Sequence, residues 1–376
     1  MKNNKADIVV VGSGIVGNAT AYYLVKEGYD VTVLEAKEIG HGGSSRNGGG
    51  VRQSGRDNVQ LPLAMYAIEK QWPTLSEELG VDTEYDRAGT IRLAETEEEI
   101  KRCKYFIEQN AKLGLEMTFL SPEEVQKFCP YVAPGISASF CPSDGHANPL
   151  TTTLGYYRRA RQLGARYFTG EEVIRLEKVR GRARRVVTRN GNVYEADVIV
   201  VAAGYFTRPI CNTVGIDFPV NKVPREILVT EPMPPMFYEM INTTEPVYYG
   251  HQSRKNGTFV FGGTCGYETH ANDQEEAHPR PMCMPGLSRK LIQSIPKLAE
   301  AKVVRAWTAW TDRMIDELPA LGLIKEVPGL VVCVGTTGVG FALGPSTGLV
   351  LSQVATGREP VVDISAFSYD RFKAIV

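Results

Sequence analysis

At 376 residues the chain is long enough to bury a sizeable core without disulfide or metal staples, and it has room for two domains. Hydrophobic residues make up 43% and charged residues 23%, the balance of a globular protein. Lys and Arg total 42 against 43 Asp and Glu, a net charge of −1, which disfavours nucleic-acid binding because that usually shows a basic excess.

The opening MKNNKA is polar, and the apolar run at residues 8–11 stops too soon for a secretory signal. No later stretch approaches the roughly 18 apolar residues of a membrane span, so a cytoplasmic protein is expected. Residues 6–34 read as one βαβ unit. Asp7-Ile-Val-Val-Val11 is β-branched and unbroken, as a strand covered on both faces should be. Residues 15–27 carry Ala19, Tyr22, Tyr23 and Leu24 at helical spacing, Gly28 stops them, and residues 31–34 form the second strand.

Gly12-Ser13-Gly14-Ile15-Val16-Gly17 joins strand to helix as G-x-G-x-x-G. Gly12 permits the tight turn, Gly14 lets a pyrophosphate approach the backbone, and Gly17 lets the helix pack closely on the sheet. The pyrophosphate then meets the positive end of a helix. Glu35 ends the second strand, where a carboxylate accepts from a ribose hydroxyl and repels a 2′-phosphate, which argues against NADP. The fingerprint alone does not separate FAD from NAD.

Residues 40–55 are too glycine-rich for regular structure. NAD dehydrogenases normally run straight into another helix there. Here Ser44, Ser45, Arg46, Asn47, Gly49, Gly50 and Arg52 offer amides, hydroxyls and guanidiniums suited to a longer, flavin-bearing dinucleotide; a flexible solvent loop is the alternative. Residues 58–79 look helical and carry Trp72 and Leu75. Residues 84–124 alternate a strand (90–94) with acidic helical segments and end at the capping box Ser121-Pro-Glu-Glu124. Residues 150–163 read as a helix. Residues 173–176, 183–188 and 193–202 read as strands, the last two joined by an Asn190-Gly191 turn. Residues 219–305 are strand-rich. A buried strand at 330–334 runs into a second glycine cluster ending at Pro345, followed by a helix over 346–356. Residues 158–189 hold eleven basic against three acidic residues, a local excess of +8 that reads either as a solvated face or as a docking surface for an acidic partner. No aromatic platform interleaves those charges for nucleic acid.

The expected fold class is α/β in two domains: a Rossmann-like FAD/NAD(P)-binding domain from residues 1–85, 145–215 and 325–376, and an inserted antiparallel β-sheet substrate domain from residues 86–144 and 216–324. Cysteines 103, 129, 141, 211, 265, 283 and 333 are scattered without a C-x-x-C pair and read as reduced thiols. Histidines 41, 146, 251, 270 and 278 add no metal spacing, so no metal site is expected.

VVVGSGIVG and LEA (9–17, 34–36), SSRNGGGVR (44–52), VVAAGYFTRP (200–209), VYYGHQ (247–252), RAWTAW with DELPALG (305–310, 316–322) and GVGFALGPSTG (338–348) together resemble the FAD-dependent D-amino-acid oxidase, glycine oxidase and sarcosine oxidase family over nearly the whole chain. DGHANP (144–149) resembles the subgroup of sarcosine oxidase β subunits, dye-linked proline or hydroxyproline dehydrogenases and opine oxidases. The resemblance implies non-covalent FAD, and leaves FMN at a subunit interface open. It implies that Gly12, Gly14, Gly17, Glu35, Ser45 and Arg46 hold the ADP and pyrophosphate half, with Ile15, Val16, Ala36, Ser44, Asn47, Gly49 and Gly50 lining it. The Val173 backbone would meet the adenine. Ala203, Gly204, Gly338, Val339, Gly340 and Phe341 would meet the ribityl and flavin ends, where amides stabilise the charge that develops on reduction.

Family enzymes oxidise the carbon next to a substrate nitrogen, and the imine then hydrolyses. By the resemblance, Arg52 holds the substrate carboxylate; a phosphate contact or structural ion pair is the alternative. Tyr249 matches an active-site tyrosine, against ordinary alternation of Tyr248 and Tyr249 in a strand. His251 faces the substrate or is a polar surface residue. Trp307 and Trp310 pack, Trp310 alternatively walling the substrate pocket. Val260 stands where single-chain sarcosine oxidases carry the lysine credited with oxygen activation, and Ala342 where a second carboxylate-binding lysine belongs. Ala309 replaces the covalent flavin cysteine, and Pro149 the FMN-bearing histidine of the heterotetrameric enzymes. These departures favour a dehydrogenase, the catalytic subunit of a hetero-oligomer, oxidising a small N-substituted or cyclic amino acid (proline, hydroxyproline, sarcosine or opine type) and passing electrons to a second flavin or iron–sulfur subunit. The alternatives are a self-sufficient D-amino-acid or glycine oxidase making peroxide, and a flavin-holding scaffold without turnover.

Overall fold

A computed structural model of the chain describes residues 4–244, 248–264, 277–279 and 281–373. Val247, Cys265 and His270, singled out above, lie outside the described residues, as does part of the strand-rich stretch 219–305.

Two eight-stranded sheets organise the molecule. The first runs in the order Ala320–Leu323, Leu330–Val334, Val193–Val201, Lys5–Val11, Val31–Glu35 and Arg166–Thr169. The last five of these strands are parallel, and Ala320–Leu323 pairs antiparallel at the edge. The hairpin Val173–Val179 and Arg182–Thr188 grows from the first half of Val193–Val201. Alternation explains the unbroken β-branched run of the first strand. Ile8 and Val10 enter one hydrophobic core, while Val9 and Val11 enter another on the opposite face. Helix Ile15–Lys26 packs against helix Gly340–Ala355, and glycines let the two approach. A Cβ on Gly344 would stand 2.8 Å from Ile15 side-chain atoms, and one on Gly348 would overlap Ala19.

The second sheet runs Val303–Met314, Val220–Pro232, Thr258–Gly263, Tyr248–Gln252, Met240–Thr243, Thr90–Ala94, Ser137–Cys141 and Thr118–Leu120. It is antiparallel except where Met240–Thr243 lies parallel to Thr90–Ala94, a departure from the expected all-antiparallel insert. Ile91, Leu93, Tyr248 and Phe261 point to one face, into a core with Leu287 and Leu291 of helix Cys283–Ser294. The other face carries a cross-strand row of Trp307, Ile227, Gly262, Tyr249, Asn242 and Arg92. That face turns toward the glycine-rich stretch 40–55. Trp307 Nε1 donates to the Arg46 carbonyl (3.0 Å), the Gly48 amide to Tyr249 Oη (3.1 Å), and Arg92 Nη2 to the Ser54 carbonyl (3.3 Å).

Four local expectations change. The helix read over 58–79 is broken into Leu61–Tyr66, the wide turn Ala67–Gln71, the tight turn Trp72–Thr74 and Leu75–Leu79. Pro73 lacks an amide to continue the ladder, and the Trp72 indole donates across to the Ala342 carbonyl (2.9 Å). The last helix starts at Gly340, not 346, and keeps Pro345 inside, where the ring forgoes one early-turn bond. Strand Ala320–Leu323, expected within the substrate domain, pairs in the first sheet. The +8 segment is also partly neutralised by carboxylates from outside it: Arg166 pairs with Asp30 (2.9 Å), Arg185 with Glu195 (3.7 Å) and Arg184 with Asp197, while its own Glu177 and Glu172 pair with Arg175 (2.8 Å) and Arg189 (2.6 Å). The Ser121 box forms as read, with the Ser121 amide 2.7 Å from Glu124 Oε2, and Thr96 with Glu99 builds a second one. Among the described residues, no helix is long and apolar enough to cross a membrane, and no group of three or more His, Cys, Asp or Glu is placed to hold a metal.

Candidate active site

The first strand ends at Val11, and the next residue is Gly12, whose φ of +98° and close approach to the Ala202 carbonyl (2.6 Å from an added Cβ) admit no side chain. A Cβ on Gly17 would overlap the Gly12 carbonyl oxygen, so the helix meets the turn directly. Gly14 is the helix N-cap and offers no side-chain cap; the Ile15 amide donates to Ser44 Oγ at 3.0 Å. The stretch 40–55 therefore lies across the positive end of this helix. The Ile15 and Val16 side chains are buried in the core, which leaves them only backbone groups to offer a cofactor.

Glu35 Oε2 accepts from the Ser13 amide (2.8 Å) and Oε1 from the Lys37 amide (3.0 Å), which fixes the carboxylate at the mouth of the parallel sheet. Ala36 lines a cleft there with Ile39, His41, Thr169 and Gly170. Val173 begins its strand close by, where the Glu171 amide donates to the Glu35 carbonyl (2.9 Å). Arg46 Nη2 lies 3.3 Å from His41 Nε2. Asn47 spends its side chain on the loop itself, donating to the Gly43 and Ser44 carbonyls (3.2 and 2.9 Å) and accepting from the Gly49 amide (2.9 Å). Ser45 Oγ is buried without a hydrogen-bond partner.

At the other end, Gly204 (φ +57°) opens the turn Gly204–Phe206, held by the Ala203 amide donating to Thr207 Oγ1 (3.0 Å). Asp312, buried in the long strand Val303–Met314, anchors the second glycine cluster. Its carboxylate accepts from the Gly335 amide (2.8 Å) and Thr336 Oγ1 (2.9 Å), and its carbonyl from the Thr337 amide (2.9 Å). Burial raises the Asp312 carboxyl, and these donors act against it. Gly338 has φ +77°, the Val339 amide donates to the Thr336 carbonyl (2.9 Å), and Gly340 and Phe341 open the helix Gly340–Ala355. A side chain on Gly204 or Gly338 would meet only open space. An orphaned hydroxyl at Ser45, bare glycine surfaces at 204 and 338, a fixed carboxylate at 35 and two positive helix ends together fit FAD.

The substrate side lies between stretch 40–55 and the second sheet. Arg52 is partly buried, and burial lowers its guanidinium while Asp144 and Tyr249 act to raise it. Its Cζ stands 5.9 Å from the Tyr249 ring centroid, and among the described residues its guanidinium makes no hydrogen bond or ion pair. Burial pushes the Tyr249 phenol up, opposed by the Gly48 amide and the charges of Arg52 and Arg225. Tyr248 points the other way, into the core under helix Cys283–Ser294. His251 is 7% exposed, which rules out the surface reading. It stacks on His146 at 3.7 Å between centroids with the rings 16° apart, and burial together with that neighbour holds it well below its ordinary value. Trp307 and Trp310 lie on opposite faces by register, and Trp310 sits 4.4 Å from Lys222 Nζ.

Sequence reasoning missed Arg56, Arg92, Asp144 and Asn242, which the fold gathers beside Arg52. Asp144 is fully buried and accepts from the Gln53 amide (2.7 Å), the Ser54 amide (3.3 Å) and Ser54 Oγ (2.5 Å). Arg56 Nε and Nη2 donate to the Arg52 carbonyl (2.8 and 2.5 Å). A charged residue inside the apolar strand Thr-Ile-Arg-Leu-Ala was the available signal for Arg92.

Known proteins share the sequence pattern and the fold. The family model DAO, described as FAD dependent oxidoreductase, matches residues 7–354. The chain is 27% identical to sarcosine oxidase subunit beta of Rhodobacter capsulatus, covering 98% of this chain and 88% of that one. It is also 27% identical to glycine oxidase of Bacillus subtilis, covering 98% of both. Among solved structures, L-proline dehydrogenase from P. horikoshii superposes with a TM-score of 0.90 at 26% identity over 98% of each chain.

Proposed function

The chain belongs to the FAD-dependent oxidoreductase family DAO, and from that premise we propose that it oxidises the C–N bond of an N-substituted or cyclic amino acid as the catalytic subunit of a larger enzyme. One observation carries the reading: Arg52, a partly buried guanidinium beside the Tyr249 ring, makes no hydrogen bond or ion pair among the described residues. A planar fork of donors there is a carboxylate holder, and a scaffold without turnover has no use for it.

FAD supplies the two-electron acceptor for the carbon next to the substrate nitrogen. The protein orients that carbon. Arg52 grips the carboxylate, and the Tyr249 ring walls the site with its hydroxyl fixed by the Gly48 amide. His251, held neutral by burial and by His146 stacked on it, adds no positive charge beside the substrate amine. The first-turn amides at Gly340 and Phe341 favour negative charge where the helix begins.

Two observations support a dehydrogenase passing electrons to a partner subunit. Val260, opposite His251 in the strand register, brings no cation to the side where an oxygen-activating lysine would stand. Sarcosine oxidase β subunits, among the relatives, are by name parts of larger enzymes. An interface FMN belongs to the same proposal. It would be non-covalent, because Pro149 opens the helix Pro149–Gln162 without an attaching histidine. Residues 1–85, 145–215 and 325–376, together with strand Ala320–Leu323, are proposed as the cofactor domain, and the remainder as the substrate domain. The likeness to a glycine oxidase over 98% of both chains favours one second reading, a self-sufficient oxidase. Turnover of proline, hydroxyproline, sarcosine and opines with an artificial dye but without peroxide supports the dehydrogenase. Peroxide formed at the rate of dye reduction contradicts it.

A further inference from the structure

A cavity of about 470 Å³ opens where the last turns of helices Ile15–Lys26 and Pro149–Gln162 meet the short helix Leu75–Leu79. That volume falls in the range of small-molecule sites, roughly 300–1,000 Å³. None of its lining residues belongs to the glycine loops or to the Arg52 region.

Two of the charges along it are already matched. Tyr22, 2% exposed, donates to Glu78 Oε1 (2.6 Å), and Lys26 Nζ reaches the same oxygen (3.0 Å). Burial and the Glu78 carboxylate hold the Tyr22 phenol well above its ordinary value, so it stays a donor. The other two charges are not matched. Among the described residues, the Glu77 carboxylate makes no hydrogen bond or ion pair, and Arg159 makes no ion pair. Arg159 commits only Nη1, to Gln162 Oε1 (3.3 Å), and its Nε is buried without a hydrogen bond. The Arg159 charge is felt at the Tyr22 phenol, which puts the guanidinium beside the matched pair. A desolvated donor with nothing to donate to costs stability, and this one borders a space large enough for an acceptor. Leu163, 41% exposed, adds apolar surface to the same wall.

The charge balance narrows the occupant. Lys26 and Arg159 against Glu77 and Glu78 leave the cavity neutral, so its field favours neither an inorganic anion nor a metal cation. The two unmatched charges are of opposite sign and stand on different helices. They suit a small molecule with a carboxylate for the guanidinium fork and an ammonium for Glu77, joined by an apolar body against Leu163 and the Tyr22 ring.

We infer that this cavity is a second binding site, for a free α-amino acid with an aliphatic side chain, its carboxylate on Arg159 and its ammonium on Glu77. The site shares no residue with the proposed oxidation and stands independently of it. Occupied, it ties helix Leu75–Leu79 to helix Pro149–Gln162, so the ligand also raises the melting temperature by mass action.

An anaerobic ligand-observed NMR titration of the FAD-loaded protein tests it with L-leucine, beside 4-methylpentanoate, which lacks the ammonium, and 3-methylbutylamine, which lacks the carboxylate. L-Leucine should bind saturably, and each single-charge analogue roughly three- to tenfold more weakly, as expected for contacts partly open to solvent. Arg159→Gln should bring L-leucine down to the level of the amine, and Glu77→Gln to that of the carboxylate. Arg52→Ala, which removes the proposed substrate contact, should leave this binding in place. The absence of saturable binding, or a preference for the zwitterion that survives Arg159→Gln, overturns the inference. Should Arg159→Gln fail to fold, Arg159→Lys serves instead: it keeps the charge, loses the two-donor fork and must weaken L-leucine more than the amine, and an equal effect on both overturns the inference. Binding lost in Arg52→Ala and kept in Arg159→Gln puts L-leucine at the proposed active site, which overturns the inference and leaves the proposed function standing. Binding that needs Arg159, in a protein whose flavin no amino acid reduces, supports the second site and contradicts the proposed function.

Discussion

Arg52 was legible in the sequence because it sits in a glycine-rich motif; Arg92 was not, because its meaning depends on a strand pairing that brings it beside Arg52. Tyr249 and Tyr248 show the same limit at closer range. Alternation predicted one inward and one outward, and only the fold shows that Tyr249 faces the glycine loop while Tyr248 enters the core. Replacing Arg52 with Ala should remove a charge-assisted contact worth about 1.5–3 kcal/mol, a roughly 10- to 150-fold loss of carboxylate affinity. Unchanged affinity, read by titrating bound flavin with an inert carboxylate, would assign Arg52 to structure. His146 and His251 carry a separate prediction. Burial holds both below their ordinary value, with Tyr238, Asp86, Arg254 and Glu84 around His146. Above about pH 6.5 both the folded and the unfolded forms are neutral, and the pair makes no difference. Below it the unfolded chain binds protons that the folded pair refuses, so stability falls by up to about 1.4 kcal/mol per pH unit for each histidine. His251→Gln should flatten the fall in melting temperature below that pH, and an unchanged slope would count against burial as the cause.

At the scale of elements, the helix Gly340–Ala355 departs most from what its sequence suggests. Pro345 reads as a helix start because proline is favoured at the first helical position, yet the helix begins earlier so that its N-terminus meets the glycine cluster. Gly344 and Gly348 look helix-breaking in isolation. Their purpose appears only against helix Ile15–Lys26, where Ile15 and Ala19 occupy the space a side chain would need. Gly348→Ala is therefore a discriminating change. Alanine favours a helix by up to about 1 kcal/mol over glycine, whereas overpacking costs about 1–3 kcal/mol. An added Cβ would also come within 2.8 Å of the Thr20 amide nitrogen, which cannot swing aside. The melting temperature should drop, and a rise would show that the two helices have slack. The strand Ala320–Leu323 was unreadable for a related reason, since nothing local tells an edge strand which of two sheets it will join.

Across the whole molecule, glycine segments at 12–17, 40–55 and 335–348 converge on one side of the parallel sheet, and the second sheet closes over them through Trp307, Tyr249 and Arg92. The sequence motifs anticipated that convergence, and the near-neutral net charge gave no hint of it. Net charge also concealed two opposite local facts: a basic surface stretch softened by its own ion pairs, and a buried guanidinium cluster that is not. The proposed oxidation of a carboxylate-bearing amine belongs where the two sheets meet. The most direct test is anaerobic addition of an N-substituted or cyclic amino acid to the FAD-loaded protein. The account predicts stoichiometric bleaching of the flavin band near about 450 nm, lost in Arg52→Ala at the same substrate concentration. A flavin that stays oxidised with every such amine would contradict it.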